Sequence, residues 1–232
     1  MKNHKYLSSR NKIGILIQDN KLFIIIEIII VASFPICLAI LNYPRTIIPL
    51  FLMGWLSLFL RKKNWKEVGL CSPSNWFLVM LIGIGSAMIG VFLEKIISPL
   101  LFRIVDESQS QTNNQFIIHG NVGYYLLVLC AIWLLGAIGE ELVYRGYVLN
   151  RLTDLFGQSK LGWIIGILLS SIIFSLGHGI FNWANIIGVF LVGLFESILY
   201  LTNKRNLWFS ILFHGSWDTI LIILFILGFS RS

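Results

Sequence analysis

Apolar residues occupy this chain in long blocks, at residues 22–41, 46–60, 76–97, 124–138, 161–180, 184–202 and 207–229, separated by short polar stretches. The blocks are apolar on every side of a helix and show no alternation of the kind a half-buried strand would need. A membrane-spanning helix takes roughly 17–25 residues, so 46–60 and 124–138 must extend at one end. The pattern predicts an all-α, polytopic transmembrane helix bundle of about seven to eight spans. It divides the chain into a polar, basic N-terminal segment (1–21), N-terminal transmembrane helices (22–107), a polar extracytoplasmic loop (108–123) and a C-terminal transmembrane core (124–230).

Composition agrees: 56% of residues are hydrophobic, 12% are charged and the mean hydropathy is +0.81, far from the balance of a water-soluble domain. A net charge of +7 would ordinarily raise the question of nucleic acid, but the basic residues sit in clusters between apolar blocks. Lys2, Lys5, Arg10, Lys12 and Lys21 precede the first block. Arg61, Lys62, Lys63 and Lys66 follow the second, Arg145, Arg151 and Lys160 the fourth, and Lys204 and Arg205 the sixth. The alternate connections are poor in Lys and Arg, which predicts a cytoplasmic N-terminus and a multi-pass protein of the cell membrane, with lipid and not nucleic acid around it. No small-residue cleavage site follows the first block, which therefore reads as a retained helix. Cys37, Cys71 and Cys130 are scattered and predict neither a disulfide framework nor a CxxC site.

Ionisable groups at membrane depth cost from about 2.5 kcal/mol upward and persist where they pair or act. Three successive C-terminal blocks carry such groups: Glu140-Glu141-x-x-x-Arg145, Phe174-x-x-x-His178 and His214-x-x-x-Asp218. Glu141 and Arg145 share a helical face, in the favourable order, and predict an ion pair. Glu140, about 100° around the helix, stays available to take a proton from water. Counting equal rises back from the connection near 156–160 brings Glu140 level with His178, so both can hold one water, with Phe174 packed over it. The same count makes the helix from Tyr124 onward too long for one perpendicular span; it must tilt, break near Gly136–Gly139 or project into the cytoplasm. His214 and Asp218 also share a face. Either Asp218 orients the imidazole, which donates to a developing oxyanion, or His178, His214 and a glutamate such as Glu140 hold zinc. No HExxH motif accompanies the zinc alternative. Of the remaining acids, Glu196 is a candidate to face the site and Glu27 reads as a packing residue; Gly83, Gly85, Gly90, Gly188 and Gly193 fit close helix approach.

These three motifs, in this order, resemble those of the CPBP intramembrane proteases, which include type II CAAX prenyl endopeptidases and bacterial proteins linked to bacteriocin self-immunity. The resemblance covers 136–220, and Trp65-Lys66-Glu67-Val68-Gly69-Leu70 is similar to a cytoplasmic loop common in the family. It implies an endopeptidase acting on membrane-associated peptides, with prenylated (CAAX-type) peptides as one substrate class. Catalysis would fall to Glu140, His178, His214 and Asp218, support to Glu141, Arg145 and Phe174, with no cofactor and zinc as the alternative. Asp at 218 stays within the family pattern, which has Asn or Asp there; Asn is the residue of the eukaryotic-type prenyl endopeptidases. The rival readings are a non-proteolytic scaffold or immunity protein, which needs the Glu141–Arg145 brace alone, and a small proton-coupled transporter, which expects internal repeats that the chain lacks. Nothing in the sequence sets the oligomeric state.

Overall fold

The computed structural model describes residues 14, 17–18, 20–41, 47–107, 122–227 and 229. The expected polar segments at 1–21 and 108–123 fall almost wholly outside these residues. The described chain forms helices α1 (Lys21–Ile40), α2 (Ile48–Leu60), α3 (Trp76–Ile104), α4 (residues 122–156), α5 (Lys160–His178), α6 (Trp183–Thr202) and α7 (Leu207–Ile226), with no strand among the described residues. Six of these helices are long and apolar enough to cross a membrane; α2, at 13 residues, is not. The outer faces are apolar throughout, with Leu81, Met88 and Phe92 of α3 and Leu161 of α5 among the exposed side chains, as a membrane-embedded bundle requires.

Helix starts follow local chemistry. Asn75, Ser159, Asn182 and Asn206 each turn a side-chain oxygen onto a backbone N–H of the first turn that follows. The Glu107 carboxylate, just past α3, accepts from the backbone N–H groups of Trp183 and Ala184, both at 3.0 Å, and so ties that end of α3 to the start of α6. Glu107→Ala should lower stability by about 0.5–2 kcal/mol, the range for a lost cap. Thermal unfolding in detergent checks this, with Glu107→Gln, which keeps one acceptor, losing less.

Helix α4 is as long as the count back from the 156–160 connection predicts. It neither breaks at Gly136–Gly139 nor ends before Arg145. It is α-helical over Val122–Ala131, π-helical over Ile132–Glu140 and Leu142–Leu149, and α-helical again over Asn150–Phe156. Arg145 and Arg151, counted among the basic residues after the fourth block, lie inside this helix, and both are fully buried. Wide π turns are rare and occur mostly at functional sites. Here their carbonyls receive donors from side chains: Ser170 Oγ on Tyr144 O, and Asn150 Nδ2 on Arg145 O and Gly146 O, each at 3.0 Å.

Around α4 the other helices close by small-residue contact. At Gly83 of α3, a Cβ would lie 2.6 Å from Leu212 Cβ and 3.3 Å from the α7 backbone, while Gly90 of α3 faces the Trp217 ring. Gly85 meets no atom within 4 Å, so it is not a contact glycine. Gly83→Ala should cost about 1–3 kcal/mol by overpacking, read as a lower unfolding temperature, and Gly85→Ala, with open space at its Cβ, should not lower it. Gly69, in the connection after α2, has φ +112°, and a Cβ there would strike Arg205 O. Its carbonyl accepts from Leu207 N at 3.0 Å, and Val68 O accepts from Tyr200 Oη at 2.9 Å, so this connection is fastened to the α6–α7 turn.

A second ionic cluster joins α1, α2 and α4. Arg151 donates to Glu27 Oε2 at 2.6 Å, to Asp154 at 3.2 Å and to Ile17 O at 2.9 Å; Ser57 Oγ donates to Glu27 Oε1 at 2.7 Å, and Arg61 reaches Asp154 at 3.4 Å. Glu27 is therefore an ion-pair partner and not simply a packing residue.

Candidate functional site

The buried middle of α4 meets α5, α6 and α7 around four ionisable side chains. Arg145 donates through Nη1 to Glu141 Oε1 at 2.7 Å, and its Nη2 lies 2.5 Å from Glu196 Oε2 and 3.2 Å from Gly193 O. His214 Nδ1 lies 3.1 Å from Glu141 Oε1 and 3.3 Å from Glu196 Oε1. Glu141, Arg145 and Glu196 are 0% exposed, which makes this a sealed charge cluster drawn from three helices. A guanidinium serves two carboxylates at once because its donors form a planar fork.

Phe174 of α5 closes the cluster on the apolar side. The Arg145 guanidinium carbon stands 4.3 Å from its ring centroid, and the rings of His178, Tyr144 and His214 lie 4.4, 5.0 and 6.3 Å away. Its position is thus against a cation as well as beside His178.

Beside the sealed cluster lies an open pair. Glu140 Oε2 is 3.3 Å from His178 Nε2, and these side chains keep 22% and 31% exposure. His178 Nδ1 is 2.9 Å from Phe174 O. A carbonyl only accepts, so Nδ1 carries the proton, and a neutral ring turns its Nε2 lone pair toward Glu140. Two acceptors face each other there, an arrangement that one shared proton or one water satisfies. Asp218, also partly exposed, lies 3.6 Å from His214 Nε2 through its Oδ2, and Gly136 of α4 approaches the same carboxylate.

The structure thus brings Glu140 to His178, Glu141 to Arg145 and His214 to Asp218. The addition is Glu196, which sequence reasoning weighed only as a candidate. Its signal was the presence of one acid in an otherwise apolar helix, one turn past Gly193. The Gly193 carbonyl, which takes a bond from Arg145, carried no signal at all.

The group of potential metal ligands brought together is Glu141, Glu196 and His214, with ligand atoms within 4.8 Å of one another; His178, His214 and Glu140 form no such group among the described residues. Glu141, Glu196 and His214 do not fit a divalent cation, because Arg145 already bonds both carboxylates and would stand as a second positive charge against the ion.

Residues 122–220 match the family described as Type II CAAX prenyl endopeptidase Rce1-like, which agrees with the resemblance carried by the motifs. No curated protein and no solved structure matches the chain.

Proposed function

We propose that this multi-pass membrane protein, whose residues 122–220 match the type II CAAX prenyl endopeptidase Rce1-like family, is an intramembrane endopeptidase in which Glu140 and His178 activate water without a metal. The observation that carries the reading is the partly exposed Glu140–His178 pair, 3.3 Å apart, beside the sealed Glu141–Arg145–Glu196 cluster. One water offers a hydrogen to each. Glu140 takes a proton as the water oxygen attacks the scissile carbonyl carbon, and the carbonyl oxygen becomes an oxyanion. Collapse of that intermediate breaks the C–N bond, and the proton passes to the leaving amine. An ionised Asp218 only accepts hydrogen bonds, so the donor to the oxyanion is His214 through Nε2–H, oriented by Asp218.

The connections 61–75, 157–159 and 203–206 lie at one end of the bundle, the end that holds Lys62, Lys63, Lys66, Lys160, Lys204 and Arg205. This supports a cytoplasmic orientation for that end, and hence for the N-terminus, in a cell membrane. The substrate class is a peptide with an apolar or prenylated segment, reaching the site from the bilayer or the cytoplasmic face.

The test is cleavage by purified protein in detergent. Prenylated C-terminal peptides and a mixed pool of membrane peptides are offered to wild type, Glu140→Gln and Glu141→Gln, with and without a chelator. Cleavage that chelator leaves untouched and Glu140→Gln abolishes is the expected result. Loss on chelation would restore the zinc mechanism. No cleavage by folded wild type, or cleavage that survives loss of Glu140 and His178 together, would overturn the proposal; the first outcome favours a scaffold.

A further inference from the structure

Glu196 has no part in the motifs, yet it is fully buried against the same two partners as Glu141, Arg145 and His214. Its carboxylate touches Arg145 at 2.5 Å and His214 Nδ1 at 3.3 Å, and neither of its oxygens accepts an aligned hydrogen bond from the described residues. Its attachment is therefore by charge. A charge buried on an apolar helix is retained at a large desolvation penalty unless opposite charges offset it.

Counting charges around His214 shows what Glu196 changes. Glu141 and Arg145 on α4 cancel each other. Glu196 on α6 adds one negative charge against Nδ1, where water does not reach. Asp218, on the same helix as His214, faces Nε2 at 3.6 Å, and the Glu140–His178 pair lies on the open side of the site. Both neighbours of Nδ1 are carboxylate oxygens, so Nδ1 donates. A neutral ring would then leave Nε2 without a hydrogen, and Nε2 could give nothing to an oxyanion. With Glu196 ionised, a proton on each nitrogen makes the quartet Glu141, Glu196, Arg145 and His214 neutral.

We propose that Glu196 is a positioning residue that holds His214 as the doubly protonated imidazolium, with Nδ1–H between two carboxylates and Nε2–H presented to the oxyanion of the substrate. This rests on the endopeptidase reading for the oxyanion, but the charge state of His214 does not. The arrangement also accounts for a catalytic site with Asp at 218. The hydrogen that Asp218 cannot supply comes from His214, and Glu196 is what keeps it there. The side-chain length of Glu196 matters, because one carboxylate must reach both Arg145 and His214 from α6.

The experiment is ¹⁵N NMR of the full chain, labelled at histidine and held in lipid nanodiscs. The chain has 4 histidines, and His214→Gln identifies the signal of interest by its loss. Wild type at neutral pH should show both His214 nitrogens protonated. Glu196→Gln should show only Nδ1 protonated, with kcat down about 10²-fold, the scale of one lost oxyanion donor, and KM unchanged. Its residual activity should rise as the pH falls, whereas a purely structural lesion would give no such recovery. Glu196→Asp, which keeps the charge but shortens the reach, should fall between the two. A neutral His214 in wild type overturns the proposal even if Glu196→Gln fails to fold, and so does an unchanged His214 signal in a folded Glu196→Gln. Because the spectra need no substrate, absence of cleavage with an imidazolium that depends on Glu196 would instead sink the endopeptidase reading.

Discussion

Glu140→Gln should lower kcat by about 10²–10⁴-fold, the contribution of a positioned general base, and leave the unfolding temperature near that of wild type. The two halves of this result follow from where the side chain stands. Its neighbour is the neutral His178 ring, and both side chains keep partial exposure, so the amide removes a proton acceptor without stranding a buried charge. Gln keeps the shape and can still hydrogen-bond to His178 Nε2, but it cannot take a proton from water. Steady-state cleavage of a membrane peptide, run beside thermal unfolding of the same preparation, checks both halves. A variant that loses activity only in step with its folded fraction would place Glu140 among the braces.

Arg145→Met has the opposite signature: destabilisation of about 3–5 kcal/mol, the cost of removing one partner from a buried ion pair. Arg145 bonds Glu141 and Glu196 and stands over Phe174, and all of these are buried. Removing it leaves two carboxylates from different helices facing each other with only His214 to answer them. Adding Glu141→Gln and Glu196→Gln to Arg145→Met should recover much of the lost stability, because the charges that needed the guanidinium are then gone. Arg145→Lys should recover little, since a single ammonium cannot reproduce the two-pronged contact. Thermal unfolding in detergent of these four proteins gives the comparison. Equal stability of Arg145→Met and wild type would remove the cluster from the list of what holds α4, α6 and α7 together.

The difference between these two glutamates, neighbours in sequence, was readable beforehand in part. A helix turns adjacent residues about 100° apart, so Glu140 and Glu141 could not share a partner, and Glu141 had Arg145 four residues on. That reasoning is local and survives even though the turn proves to be π-helical. The level of Glu140 against His178 was also within reach, because the α4–α5 connection is three residues long (157–159) and fixes the register of the two helices. The alternation of basic connections made the parity of the helices legible for the same kind of reason.

Other features depended on distant parts of the chain. Arg151 and Arg61 read as basic residues of the connections; Glu27 on α1 pairs with Arg151, and Asp154 on α4 pairs with both arginines. Helix α4 does not break at Gly136–Gly139, one of three alternatives for its length, and donors from Ser170 and Asn150 meet the carbonyls of its π turns. Glu196 could not be assigned, because the direction it faces depends on how α6 is rotated against α4 and α7.

By itself, then, the amino-acid sequence determined that this protein is a helical membrane protein, which residues carry candidate chemistry and which of them share a helical face. Each of these follows from transfer free energy and from periodicity within one helix. Only the tertiary structure decided which charges meet across helices: Glu196 with Arg145 and His214, Arg151 with Glu27, and the separation of the sealed Glu141–Arg145–Glu196 cluster from an open Glu140–His178 pair. Those outcomes rest on the height and rotation of one helix against another, which are set by side-chain packing between segments far apart in the chain.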